Sequence, residues 1–166
     1  MTLTDIAPLE KWIELEKEIY RRSGLNSNVF DINGIRISDF QKWPNNLCPA
    51  IKATDKGQSF ICAVAHMNIA AQAKQTGEAV IEECDAGLFK VVYPIFVKGE
   101  FLGALGGCGL LLDDGEPDTF FINKVTDIDE EKIEKLSTGI ERRSRAGMEK
   151  LALFMKDEVD KITGNL

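Results

Sequence analysis

Two long apolar runs, Phe89 to Val97 and Phe101 to Leu112, flank Lys98-Gly99-Glu100. A short connection with glycine at its centre between such runs predicts a β-hairpin. Ala79 to Glu83 lies just upstream and reads as a third strand, while Asp113-Asp114-Gly115-Glu116-Pro117 ends the sheet. The second half of the chain is thus committed to a three-strand meander. The longest run is glycine-rich and shorter than the roughly 18 apolar residues a membrane span needs.

Upstream, helix and hairpin signals alternate. Pro8 suits a first helical turn because its missing N–H has no intrahelical partner there. Leu9, Trp12, Ile13, Leu15, Glu16, Ile19 and Tyr20 then form a stripe at three- and four-residue spacing, predicting a helix to Arg22 with Gly24 as its stop. Val29-Phe30-Asp31-Ile32 and Ile35-Arg36-Ile37 flank Asn33-Gly34, the dipeptide suited to a type I′ turn. Residues 41–58 carry Pro44 and Pro49 and read as irregular. Ser59 to Thr76 is alanine-rich and helix-favouring, with Gly77 after it.

At the other end, Asp129 is placed to cap a helix to about Thr138, and a last helix is expected from about Ser144 to Ile162. A hairpin and a meander separated by helices predict an α+β fold. It is a PAS/GAF-like single antiparallel sheet covered by helices, with N- and C-terminal helices. Such a fold leaves a concavity between sheet and helices, a usual place for a small ligand.

With 166 residues, 44% hydrophobic and 28% charged, the chain suits one soluble domain spanning 1–166. We read its core as about 9–112 and its C-terminal helical extension as about 127–163. A net charge of -7 repels phosphate backbones, and the one compact basic cluster, Arg142-Arg143-Ser144-Arg145, reads as a solvated helix start. Direct nucleic-acid binding is not expected, nor is a membrane. Met1 to Asp5 has neither a basic n-region nor an apolar h-region, so the expectation is a cytoplasmic protein. Cys48, Cys62, Cys84 and Cys108 then stay reduced, and they form no Cys-x-x-Cys pair.

The residues that could carry chemistry are few. Cys62 and His66, spaced i, i+4, share a helix face. They read either as a ligand or nucleophile pair, or as a small buried cysteine beside a boundary histidine. No Gly-x-Ser-x-Gly, Walker loop or His-Glu-x-x-His is present. Glu82, Glu83 and Asp85 cluster in sequence, but adjacent strand residues point to opposite faces. Cys48, Cys62 and Cys84, with His66 as fourth ligand, would make a three-sulfur, one-nitrogen site for a metal or haem if folding brought them together. Glycine inside a strand marks a bulge or a close approach to the backbone, and four glycines within Gly103-Ala104-Leu105-Gly106-Gly107-Cys108-Gly109 suggest a pocket floor cleared of side chains, or a twisted edge of the sheet with no ligand.

Taken in order, several segments resemble the PocR sensory domain. They are Cys84-Asp85-Ala86-Gly87-Leu88, Tyr93-Pro94-Ile95, Gly99, Phe101-Leu102-Gly103 and the glycine-rich strand. Upstream, Leu47-Cys48, Cys62, Ala70-Ala71-Gln72-Ala73 and Thr76-Gly77-Glu78 fit the same pattern. The resemblance runs from Leu9 to Leu112 and extends toward the C-terminal helix. It implies a PAS-like domain recognising small organic molecules, such as short diols, in bacterial or archaeal signalling. It also implies a separate or fused output module. The chain departs from the family in ending after one helix, as a stand-alone sensor or a fragment would. It departs again at Cys108, where glutamine is expected after glycine. If that glutamine holds the ligand, diol specificity does not carry over.

These readings converge on a non-enzymatic sensor. Its ligand is expected to sit between the sheet and the helix 59–76, walled by Cys84, Gly87, Tyr93, Gly107 and Cys108. A metal- or haem-dependent redox sensor at Cys48, Cys62, Cys84 and His66 is the alternative, and a thiol enzyme using Cys84 or Cys62 is a third. The apolar stripe Met148, Leu151, Phe154, Met155 and Val159 would either pair two subunits into a homodimer or cover the domain's own sheet.

Overall fold

A computed structural model describes residues 1–164 and 166. The chain opens with a short helix α1 (Leu3–Ile6) and the amphipathic α2 (Leu9–Ser23), which Pro8 precedes as N-cap. Trp12, Leu15, Glu16 and Ile19 are buried along one face of α2, and the Trp12 indole donates to Leu3 O at 3.0 Å. Gly24 closes the helix at φ 76°, the left-handed geometry that favours glycine.

Strand β1 (Asn26–Asp31) follows. The hairpin signal at Asn33-Gly34 is real, but its geometry differs from a type I′ turn. Only Gly34 has positive φ, the Gly34 amide donates to Asp31 O, and Asp31 N pairs with Ile35 O. The Asp31 carboxylate accepts from the amides of Asn33 and Ile35, which holds a three-residue loop with glycine in the bulge position. The expected partner strand shrinks to one bridge, Phe30 to Arg36.

Residues read as irregular contain helix α3 (Leu47–Lys52) and the single turn α4 (Asp55–Gly57). Pro49 is tolerated because it lies in the first turn of α3. A π turn over Gln58–Cys62 follows, in which the Ala63 amide reaches back five residues to Gln58 O. It leads into α5 (Ala63–Thr76), capped by Gly77 at φ 71°. Next come β2 (Val80–Glu83), β3 (Phe89–Val97) and β4 (Glu100–Leu112), the expected meander.

Beyond the meander lie α6 (Thr119–Thr126), outside the helices expected from sequence, and α7 (Glu130–Ser137). The basic cluster is not simply a helix start: Arg142–Arg143 forms β5, paired parallel to Leu111 and Leu112 of β4. The Arg142 guanidinium donates to Asp113 O and Gly115 O, and Arg143 Nε to Ser23 O. Each guanidinium also pairs with a carboxylate at the surface, Arg142 with Glu116 and Arg143 with Glu141. Helix α8 (Arg145–Thr163) ends the fold.

The sheet order is β1-β4-β3-β2, all antiparallel, with β5 extending the β1 side of β4. Helices cover both of its faces. On one, α2 and α8 pack over Val29, Val91, Tyr93, Ile95 and Leu105. The stripe on α8 is spent here: Met148, Leu151, Met155 and Val159 are buried against the domain's own sheet, which removes the basis for a homodimer through that face. On the other face, α5 lays Ile69 and Ala73 on Val92 and Ala104. Beside it α3, α6 and α7 build a second core around Leu47, Ile51, Ile122 and Ile133.

Candidate functional site

Strand alternation assigns each side chain of the meander to one face. Tyr93 pairs with Leu105 and Val91 with Gly107, all on the side of α2 and α8. Lys90 pairs with Cys108, Val92 with Gly106 and Pro94 with Ala104, on the side of α5. Across β1, Asn26 opposes Cys108, Asn28 opposes Gly106 and Phe30 opposes Ala104. The face under α5 therefore carries Asn26, Asn28, Phe30, Lys90 and Cys108.

That is an unusual set for a sheet interior. Asn26 and Asn28 are buried, and Lys90 is only 6% exposed. Lysine is rarely buried unless it is paired, yet among the described residues Lys90 makes no ion pair. Its ammonium lies 5.2 Å from the centre of the Phe30 ring. Helix α5 adds His66, 8% exposed, whose ring stacks on Phe30 at 3.7 Å between centres. His66 Nδ1 is fully buried and, among the described residues, has no hydrogen-bond partner. Arg36 completes the group from the bridge beside Phe30, its guanidinium donating to Phe40 O and Ser27 O. Each asparagine uses only part of its carboxamide within the protein: Asn26 Oδ1 accepts from Lys42 N, and Asn28 Nδ2 donates to Asn26 O.

Burial, with the charges of Lys90 and Arg36 beside it, pushes His66 down to about 3 from 6.5. His66 is therefore neutral in the folded domain at neutral pH. A histidine lowered on folding binds its proton better when unfolded, so the stability it permits is complete above 6.5 and falls as the pH drops toward 3. At about 1.4 kcal/mol per unit, the loss between pH 7 and pH 5 is about 2 kcal/mol. Urea unfolding at the two pH values should show that loss in the native protein and its absence in His66→Gln. Other titrating groups are common to both proteins and cancel.

The thiols sit on four elements. Cys62 ends the π turn, Cys48 lies in α3, Cys84 follows β2 and Cys108 is in β4. Burial pushes Cys62 up to about 11 and raises Cys48 and Cys84 as well, each with a further contribution from Cys108. A raised thiol is the opposite of an activated nucleophile. Cys62 and His66 lie four residues apart, yet His66 Nδ1 takes no hydrogen bond from the thiol or from any other group among the described residues. Nor do the sulfurs assemble with His66: among the described residues no three His, Cys, Asp or Glu side chains come close enough to hold a metal. The four-ligand metal cluster expected at Cys48, Cys62, Cys84 and His66 is thus not seen among the described residues.

The five residues expected to wall one pocket are divided by the sheet. Cys108 faces α5, whereas Tyr93 and Gly107 face α2 and α8. Tyr93 instead borders an open groove of about 370 Å³ with Ile81, Arg145, Glu149 and Lys156. Cys84 and Gly87 belong to the turn before β3, where Cys84 N donates to Leu88 O and Gly87 N to Cys84 O.

The glycines do not clear a pocket floor either. A Cβ on Gly103 would lie 2.2 Å from Phe30 O, on Gly106 2.2 Å from Val91 O, and on Gly107 2.9 Å from Leu25 Cβ. On Gly109 it would lie 2.6 Å from Pro44 Cγ. Other parts of the protein fill the space, the close backbone approach that glycine in a strand permits.

The residues missed from sequence are Asn26, Asn28, Phe30 and Lys90. Lys90 had a signal: it is the one charge inside the run Phe89 to Val97. The family model for the sensory domain found in PocR matches residues 5–164. No curated protein and no solved structure matches the chain. No helix among the described residues is long and apolar enough to cross a membrane.

Proposed function

The chain belongs to the family of sensory domains found in PocR and is a signal-sensing domain, and from that premise we propose that it senses without catalysis by taking a small organic ligand between α5 and the sheet. One observation carries this reading: a histidine nitrogen fully buried on that face has no hydrogen-bond partner among the described residues. Burying a polar atom unpaired costs about 1–3 kcal/mol, a cost a ligand donor or acceptor at His66 Nδ1 would remove. Cys108 and Lys90 share that face, while Cys84 and Gly87 shape the turn entering β3 beside it. Tyr93 and Gly107, on the far side, take part only through the strands.

The signal then crosses the sheet. Lys90 is flanked in β3 by Phe89 and Val91, both packed in the core beneath α2 and α8. A ligand that favours one placement of β3 favours one packing of the terminal helices, provided its affinity differs between the two. A bacterial or archaeal output module, fused or separate, would read that packing.

Thermal denaturation with a panel of short diols, C2–C4 carboxylic acids and their amides tests the reading. Saturation at 100 times Kd adds about 2.7 kcal/mol, or roughly 5–10 °C for a domain of this size. At least one compound is expected to give such a shift, and Cys108→Phe, which fills the site, is expected to abolish it. A panel with no effect, or a shift that survives Cys108→Phe, overturns the reading.

A further inference from the structure

The buried face under α5 holds more positive charge than negative. Lys90 is more than nine-tenths buried and has no anionic partner among the described residues. Its cross-strand neighbour on the same face is Glu82, directly opposite in β2, but Glu82 is exposed and does not pair with it. Arg36, the other cation of the group, already serves Phe40 O and Ser27 O. The remaining neighbours, His66, Asn26, Asn28 and Cys108, are neutral donors or acceptors. The Lys90 ammonium itself keeps some access to solvent and lies 5.2 Å from the centre of the Phe30 ring, so it is free to meet an anion that enters beside it.

We propose that the sensed molecule is a small monocarboxylate whose anionic oxygens engage Lys90 while a neighbouring polar group meets His66. This rests on the reading that a ligand enters between α5 and the sheet. The charge count selects a single anion: one uncommitted cation balances one carboxylate, and a phosphate dianion would leave a charge unmatched in a poorly solvated space. His66 stacks on Phe30 at 3.7 Å, and the same face of the sheet carries the short side chains of Ala104 and Cys108; the acids tested are therefore short, of two to four carbons. His66, kept neutral by its surroundings, can donate to or accept from an α-hydroxyl or α-keto oxygen, its tautomer following the ligand.

Titration calorimetry on matched pairs, acetate with acetamide, propionate with propionamide and lactate with lactamide, isolates the charge from the carbon skeleton, and 1,2-propanediol serves as the neutral diol. At least one acid is expected to bind ten-fold or more tightly than its amide. Lys90→Met should erase that preference, and Lys90→Arg should restore much of it. Lys90→Met keeps the buried stem of the side chain and breaks no ion pair or hydrogen bond among the described residues, so its ligand-free melting temperature should stay close to the native one, which separates lost binding from lost folding. Amides or diol binding as tightly as the acids would overturn the carboxylate assignment while leaving the small-molecule reading standing. So would Lys90→Met keeping acid affinity within two-fold. No binding by acids, amides or diol overturns both.

Discussion

Gly87→Ala is expected to destabilise the domain by about 4 kcal/mol or more, among the largest effects a single methyl group can have. Two costs add at this position. Gly87 sits at φ 89°, where a side chain costs roughly 1–2 kcal/mol in conformational strain alone. The new Cβ would also lie 2.0 Å from Glu116 O and 3.1 Å from Asp118 N. Both atoms are backbone, so neither can swing aside like a side-chain end. The loop they belong to is fastened to this turn by the Asp118 amide, which donates to Ala86 O at 2.8 Å. Relief of the clash therefore requires the loop to lift, carrying with it the N-terminus of α6 and the Ile122 core contact. Gly99→Ala is the matched control. Its φ is 83°, nearly the same, but nothing lies within 4 Å of its Cβ. Urea unfolding should give about 1–2 kcal/mol for Gly99→Ala and at least twice that for Gly87→Ala. Equal losses would mean that the loop, not the turn, gives way freely.

The second large effect is expected at Glu16. This carboxylate is fully buried on α2. Its Oε1 accepts from Val29 N at 2.9 Å, and its Oε2 accepts from the Ser38 hydroxyl. Its own backbone carbonyl accepts from Ser27 Oγ at 2.6 Å. One residue thus joins α2 to β1 and to the segment after the hairpin. Glu16→Ala leaves a buried amide and a hydroxyl unmatched, at about 1–3 kcal/mol each; a total loss of about 3 kcal/mol is expected. Glu16→Gln preserves the shape: its carbonyl can take the Val29 amide and its amino group can donate to Ser38.

Burial raises Glu16 above the usual carboxylate value of 4.5, against the opposing pull of Ser38, Val29 and Arg36. A group raised on folding contributes fully below its unfolded value, and that contribution is lost as the pH rises through the folded one. The stability of Glu16→Gln relative to the native protein should therefore improve from pH 4 to pH 7. A gap between the two that does not change with pH would contradict the buried, raised carboxylate.

How much of this could be read from residue order depends on whether the signal was local. Gly24 and Gly77 stop their helices because a left-handed residue is a local requirement, and the glycine-centred loop at 98–100 joins β3 to β4 as its spacing predicts. Asn33-Gly34 located a turn but not its type, because the Asp31 side chain decides that from two residues upstream. Arg142-Arg143 could not be recognised as a strand. Its pairing with Leu111 and Leu112 is long-range, and charge is a poor strand signal.

Strand parity divides the expected site: Gly107 and Cys108 are neighbours in sequence and therefore face opposite sides of the sheet. Once parity is respected, Cys108 selects Lys90 and Asn26 as its face-mates. What no sequence pattern could supply was that His66 would arrive over Phe30 with a bare nitrogen, since that depends on the azimuth of α5.

That azimuth is set by the π turn at Gln58–Cys62. A π turn is an α-helix holding one residue more than its pitch allows, and each residue of an α-helix accounts for about 100° of rotation. His66, Ile69 and Ala73 face the sheet while Met67, one position on, lies in solvent. Deleting a single residue from 58–62 would rotate α5 by that angle against the elements before it. The helix would then have to choose between its own lead-in and its seat on the sheet. The domain thus carries a one-residue vernier ahead of its central helix, and the length of this segment, more than its composition, aims the imidazole.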